Sequence, residues 1–380
     1  MQEPGWTNLI AAIHQSGAKI VIAITGGGSS AIGDLLKVPG GSNSILEAVV
    51  PYSQTALEEF LGGPPDQFCS EPTARAMAMA AWMRARKLGP EADPYMLIGV
   101  GATASLASGT PKRGDHRIHV AVQTAELTGS YSLTLNKDAR SRSEEEQLAA
   151  KLLIAALADI CLPKSDEVGN PLKNCLLSGE RVERAGQVSE RAWTELLLGT
   201  RKLVFDGDLS SLKGVFPGAF NPLHAGHREM IAQASRRLGP VMCEISITNV
   251  DKPPLDFIEI NKRLSGLMSF GPEPPVLLTA APTFREKAAI LPGSTFVVGI
   301  DTLVRIADPR YYHDNLSQRD QAIREIADAK CRFLVFGRQL GGEFCCLSDV
   351  EIPQELKILC EEIPISEFRE DASSTALRRS

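Results

Sequence analysis

The chain has 380 residues, 43% of them hydrophobic and 23% charged, with a formal net charge of −6 at pH 7. That length suits two domains, each able to bury its own core, and the mild acidity excludes a general pull towards polyanions, so nucleic acid is not an expected partner. Eight cysteines without Cys-x-x-Cys spacing suggest neither a zinc site nor a disulfide framework, and no run approaches the ~20 apolar residues that cross a bilayer; with no basic and apolar leader at the start, a cytoplasmic protein without a membrane partner is expected.

In chain order, residues 6–15 carry a helical pattern, 19–25 a buried-strand pattern, and Gly26-Gly27-Gly28-Ser29-Ser30 a turn into a helix from Ala31. The next helix is predicted over 72–88, with Ala74, Met77, Ala78 and Ala81 inside and Met77, Met79 and Met83 read as core packing. Strands are predicted at 95–100, 117–123 and 130–136, and a helix at 144–160 closes an α/β unit over 1–162. Small residues at a helix start expose N–H groups to an anion, yet Gly26–Ser30 lacks both the Gly-Lys-Ser/Thr of a Walker loop and Gly-x-Gly-x-x-Gly spacing. A structural turn and an anion cradle both remain open there. Residues 163–205 read as a connection that includes a helix-like run over 180–198.

The second domain is expected over 206–380. A strand at 212–216 leads into Gly218-Ala219-Phe220-Asn221-Pro222-Leu223-His224-Ala225-Gly226-His227, and a helix over 227–238 follows, with Met230, Ile231, Ala234 and Leu238 on one face. The motif therefore sits on a strand-to-helix turn. Gly218 and Gly226 let ligand and backbone approach, Ala219 and Phe220 line the turn, and the helix start attracts phosphate. His224 and His227, three apart, can both face that phosphate, and imidazole donors suit a reaction in which charge develops on a transferring phosphoryl group. Further on, Lys252 follows the apolar run 241–248 and Arg263 opens a short helix; Gly299 and Asp301 end a buried-strand pattern at 296–302, and Arg338 ends another at 333–338. Ends of strands are where an open α/β sheet binds ligand, so these residues are substrate candidates. Near the C-terminus, Ser373, Ser374, Thr375 and Arg378 combine hydroxyls, N-cap types and a guanidinium into a possible phosphate clamp.

The ten-residue stretch resembles the HxGH signature of the nucleotidyltransferase superfamily, Gly-Thr/Ser-Phe-Asp-Pro-x-His-x-Gly-His, and departs from it at Ala219 and Asn221. Class I aminoacyl-tRNA synthetases carry a related His-x-Gly-His, but their Lys-Met-Ser-Lys-Ser loop is absent. Residues 371–379 resemble the Ile-Ser-Ser-Thr-x-Ile-Arg motif of adenylyltransferases, with Ala372 and Leu377 at the two Ile positions, and Phe296–Leu303 looks like the corresponding strand of nicotinate or nicotinamide mononucleotide adenylyltransferases, with Tyr311-Tyr312 where a tryptophan is common. The resemblance implies a Rossmann-like, doubly wound domain that moves AMP from ATP, with Mg²⁺, to a small phosphorylated acceptor. Pantetheine-phosphate adenylyl transfer, cytidylyl transfer, and a non-catalytic nucleotide-binding regulator are the alternatives; a homo-oligomer is compatible with any of these.

Residues 1–162 resemble the C-terminal CinA-type domain that includes nicotinamide-mononucleotide deamidases, through Val38-Pro39-Gly40-Gly41-Ser42, Val50-Pro51-Tyr52-Ser53 and Ser70-Glu71 with Ala74-Arg75-Ala76-Met77-Ala78. Against that family Thr25 stands at the reactive serine, Ile24 at a glutamate and Leu57 at a lysine, while Tyr52 is kept. Losing a carboxylate and an ammonium removes the groups that move protons in hydrolysis, so the domain is expected to be inactive.

Overall fold

The computed structural model describes residues 4–109, 113–162, 171–209, 213–269, 274–340 and 343–368. The chain divides into two compact α/β units, one of 1–198 with 251–258 and one of 199–250 with 259–380.

The first unit runs α1 (Pro4–Gln15), β1 (Lys19–Ile24), α2 (Ser30–Lys37), α3 (Gly41–Ser44), β2 (Ile45–Val49), α4 (Gln54–Leu61), α5 (Glu71–Leu88), β3 (Leu97–Ser105), β4 (Arg117–Gln123), β5 (Leu127–Thr134), α6 (Arg142–Cys161), β6 (Glu183–Val188) and α7 (Arg191–Leu198). Its sheet has the order β2-β1-β3-β4-β5-β6, parallel among the first three and antiparallel beyond. The continuous apolar run of β1 is buried from Ile20 to Ile24, as a strand covered on both faces must be. On one face the small residues of α5 meet Gly99 and Gly101 of β3 so closely that a Cβ at either glycine would be driven into the backbone of Ala74, Ala78 or Trp82. The apolar face of α6, from Leu148 to Ala158, belongs with Val100, Val120 and Val122 to the unit's main core.

Two expectations are corrected here. Met77 and Met79 are buried, but Met83 is 39% exposed, because it falls on the outward stripe of α5 with Ala76, Ala80 and Lys87. The run 180–198 is not one helix. Glu183–Val188 pairs antiparallel with β5 as an exposed edge strand, held by main-chain bonds that need no apolar pattern, and the helix begins only at Arg191, where Trp193, Leu196 and Leu197 supply a buried face. Segment 251–258 is fixed inside this unit: Arg75 Nη1 donates to both oxygens of Asp256 at 2.6 Å, Phe257 N donates to Thr128 Oγ1 at 3.0 Å, and the Phe257 ring stacks on Trp193.

The second unit contains β7 (Leu203–Val204), β8 (Gly214–Pro217), α8 (Ala225–Leu238), β9 (Val241–Ser246), the remainder of α9 (Phe257–Met268), β10 (Val276–Thr279), α10 (Phe284–Ile290), β11 (Thr295–Gly299), α11 (Ile300–Ala307), α12 (Leu316–Asp328), β12 (Arg332–Phe336), the hairpin β13 (Arg338–Leu340) and β14 (Glu343–Cys345), α13 (Gln354–Lys357) and β15 (Cys360–Ile363). Its main sheet reads β15-β12-β11-β8-β9-β10-β7, with only β7 antiparallel. Taken from β10, the six parallel strands stand in the order third, second, first, fourth, fifth, sixth. This is the doubly wound arrangement, whose connections reverse direction between β8 and β11 and open a crevice at the strands' carboxyl ends. Beneath β9, the fully buried Glu244 accepts from Thr279 Oγ1 and from Lys287 Nζ at 2.7 and 2.9 Å, while Lys287 also donates to Ala281 O at 2.8 Å. Among the described residues no helix is long and apolar enough to cross a membrane.

Candidate active site

β8 ends at the reversal point, and the loop 218–224 carries the chain from it into α8. Phe216, Phe220 and His227 form one aromatic cluster, with Phe216 and Phe220 edge to face at 5.4 Å and Phe220 5.3 Å from the His227 ring. Phe220 is buried with φ of 46°, and its ring folds back over Gly218, where a Cβ would come within 2.6 Å of it. Gly218 is therefore set by space, since a side chain there would displace the Phe220 ring. Ala219 is exposed, and Gly226 is buried in the first turn of α8.

His224 is the N-cap of α8 and His227 stands in its first turn, so both imidazoles sit where the helix presents free N–H groups and positive potential. Their ring centroids are 3.7 Å apart. The His224 N–H donates to His227 Nδ1 at 3.3 Å, which leaves the proton of a neutral His227 ring on Nε2, as a donor. Burial, then the neighbouring His224 and the charge of Arg338, push the His227 pKa down to about 3. His227 is thus a neutral hydrogen-bond donor at pH 7 rather than a cation. Since the ring takes a proton near 6.5 when unfolded, the unfolded state binds more protons between about pH 3 and 6.5. The contribution of His227 to stability is full above that window and is lost as pH falls through it. An NMR titration should find its ring carbons unshifted between pH 8 and 5; a midpoint near 6.5 would contradict this environment.

Gly299 ends β11 and caps α11, and a Cβ there would come within 2.5 Å of Asp301 Oδ1. Arg338, just past β12, approaches both Asp301 oxygens at 3.4 and 3.5 Å. The strand ends therefore bring His224, His227, Gly299, Asp301 and Arg338 to one end of the sheet. Arg263 on α9 donates through Nε to Glu259 at 2.9 Å, and the same oxygen accepts from Asn221 at 2.8 Å. Lys252 lies in the segment 251–258 that clusters with the first unit. Ser373, Ser374, Thr375 and Arg378 lie outside the described residues. Sequence reasoning missed Glu259, although its i, i+4 spacing to Arg263 on a helix was a readable signal.

In the first unit the glycine turn already holds an anion of the protein itself. Glu146 of α6 accepts from Gly28 N at 2.6 Å, Ser30 N at 3.1 Å and Ser29 Oγ at 3.1 Å, in an open pocket also lined by Lys37 and Arg142. Nothing in the sequence marks a partner 118 positions away. Thr25 donates its hydroxyl to Thr103 Oγ1 at 3.1 Å, and Tyr52, 73% exposed, lays its ring against Gly26. Ile24 and Leu57 are both core residues, at 0% and 2% exposure. Glu146→Ala should lower stability by about 1–3 kcal/mol and open the turn to phosphate. Thermal unfolding with and without phosphate checks this: only the variant should gain stability from the ion, and an equal gain in the parent chain would contradict an occupied cradle.

Residues 215–380 match the family model described as Cytidylyltransferase-like, so the second unit is a nucleotidyltransferase-type domain. No curated protein matches the chain at a significant level. Similar solved structures include the competence/damage-inducible protein CihA from Agrobacterium tumefaciens, at 18% identity over 42% of this chain and 94% of that one, with a TM-score of 0.33. They also include CinA superfamily proteins from Enterobacter cloacae, at 17% identity over 41% and 90% with a TM-score of 0.33, and from Escherichia coli, at 16% over 41% and 91% with a TM-score of 0.31.

Proposed function

We propose that the second unit transfers AMP from ATP to a phosphate monoester, nicotinate or nicotinamide mononucleotide being the favoured acceptor, with release of pyrophosphate. The observation that carries this reading is the pair of imidazoles at the start of α8, at the reversal point of the sheet, with His227 held neutral and its Nδ1 engaged. An acceptor phosphate oxygen attacks the α-phosphorus of ATP, a new phosphoanhydride bond forms, and the bond to the β-phosphate oxygen breaks with its electrons leaving on pyrophosphate. The α-phosphate gains charge in that step, and the His227 Nε2–H supplies a fixed donor for it without solvent rearrangement. His224 adds a second imidazole, Arg338 and the helix start add positive potential, Gly218 and Gly226 keep the backbone close, and Gly299 and Asp301 lie where a nucleoside would be read. Ser373, Ser374, Thr375 and Arg378 are assigned to the outer phosphates, and Lys252 remains a candidate for the acceptor phosphate.

Mg²⁺ would enter with the triphosphate and neutralise part of its charge. Among the described residues no three His, Cys, Asp or Glu side chains group as a metal cage. We assign no deamidase activity to the first unit, since the two positions of lost proton carriers are packed core; ammonia release from nicotinamide mononucleotide above background would overturn this. The family description favours one second reading, in which CTP is the donor. Mass analysis of the product made from each nucleotide with nicotinate mononucleotide tests both: a dinucleotide from ATP supports the first, one from CTP the second, and none from either removes this acceptor.

A further inference from the structure

A single carboxylate oxygen ties the histidine loop to α9. Glu259 Oε1 accepts from Asn221 Nδ2 at 2.8 Å and from Arg263 Nε at 2.9 Å. Glu259 and Arg263 stand four apart on the helix, each side chain 14% exposed. Asn221 lies in the loop between Gly218, at the end of β8, and His224, at the start of α8. A carboxylate this sheltered is kept by its donors, and an amide at 221 supplies one; a second carboxylate in its place would set two negative oxygens at hydrogen-bond distance. With Nδ2 committed to Glu259, the direction of the Asn221 side chain is fixed, and with Nε committed, so is the plane of the Arg263 guanidinium.

We propose that Glu259 is a positioning residue of the transfer site, an inference that rests on the nucleotidyl-transfer reading above: its carboxylate locks the loop bearing His224 and His227 to the guanidinium of Arg263, so that imidazole donors and guanidinium meet the anionic substrates as one preset unit. Because one oxygen accepts both bonds, Glu259→Gln keeps an Oε1 that can still accept both, whereas Glu259→Ala loses both. That contrast separates positioning from mere packing.

The test compares Asn221→Asp, Glu259→Ala and Glu259→Gln in the full chain, by steady-state pyrophosphate release. Asn221→Asp should lower kcat by about 10-fold or more, since it sets like charges against each other and shifts the loop. Glu259→Ala should lower kcat by a similar factor, and Glu259→Gln, whose Oε1 can still accept from Asn221 and Arg263, should stay within roughly 3-fold of the parent. Parent-like kcat in Asn221→Asp or Glu259→Ala, or a Glu259→Gln variant no better than Glu259→Ala, would overturn the proposal. If the parent chain turns over no donor and acceptor pair, the assigned activity fails separately. Thermal unfolding then decides the linkage: a stability deficit in Glu259→Ala that Glu259→Gln largely avoids supports the lock, and equal deficits overturn it.

Discussion

Replacing His227 by alanine is expected to lower kcat by about 10²- to 10³-fold with little change in substrate KM. The ring's work is confined to the transition state: a neutral Nε2–H donor, oriented through Nδ1 and sheltered by Phe216 and Phe220, meets charge that develops only as the α-phosphate is transferred. Because burial and Arg338 keep the ring unprotonated, an arginine or lysine at 227 should not replace it, as either would place a full charge in a pocket that disfavours one. The measurement is steady-state pyrophosphate release beside circular dichroism of the variant. A properly folded variant with parent-like kcat would remove His227 from the reaction.

Lys287→Met is expected to cost about 3–5 kcal/mol, the usual loss when one partner of a buried ion pair is removed. Glu244 is 1% exposed and would keep, among the described residues, Thr279 as its side-chain partner. The consequence reaches the site through the backbone, because Gly218 N donates to Glu244 O at 3.0 Å. The unfolding transition of the second unit should fall by roughly 10 °C, and adding Glu244→Gln should restore most of that, since a neutral amide in the same place leaves no bare charge. An unchanged transition in the single variant, or no recovery in the double, would contradict a role for this pair in holding β9, β10 and α10 together.

What the sequence made legible was local. The Gly218–His227 motif, the strand before it and the helix after it are read from residue types within a dozen positions, and the described strand runs Gly214–Pro217 rather than 212–216 while the helix begins two residues early, at Ala225. The buried strands at Lys19–Ile24, Thr295–Gly299 and Arg332–Phe336 are apolar runs that need no context. β6 was illegible because an edge strand is specified by the open edge of β5 rather than by its own side chains. The occupant of the Gly26–Ser30 turn was illegible for a similar reason: Glu146 looks like any charged residue of a helical first turn until the fold brings α6 to α2. The same limit hid the tie between Asn221 and Glu259, where only the half within α9 followed from spacing. The docking of residues 251–258 on Arg75, Thr128 and Trp193 was illegible in the same way, since its partners are far off in the chain.

The central claim is that the second unit joins a nucleotide to a phosphorylated acceptor. Pyrophosphate release, followed with ATP or CTP in the presence of Mg²⁺ against nicotinate mononucleotide, nicotinamide mononucleotide, pantetheine phosphate and a polyol phosphate, tests it most directly. The account predicts release that requires nucleotide and acceptor together, is fastest with ATP and a pyridine mononucleotide, and falls by about 10²-fold or more in His227→Ala. Release independent of acceptor, release unaffected by that substitution, or none with any pair would contradict it.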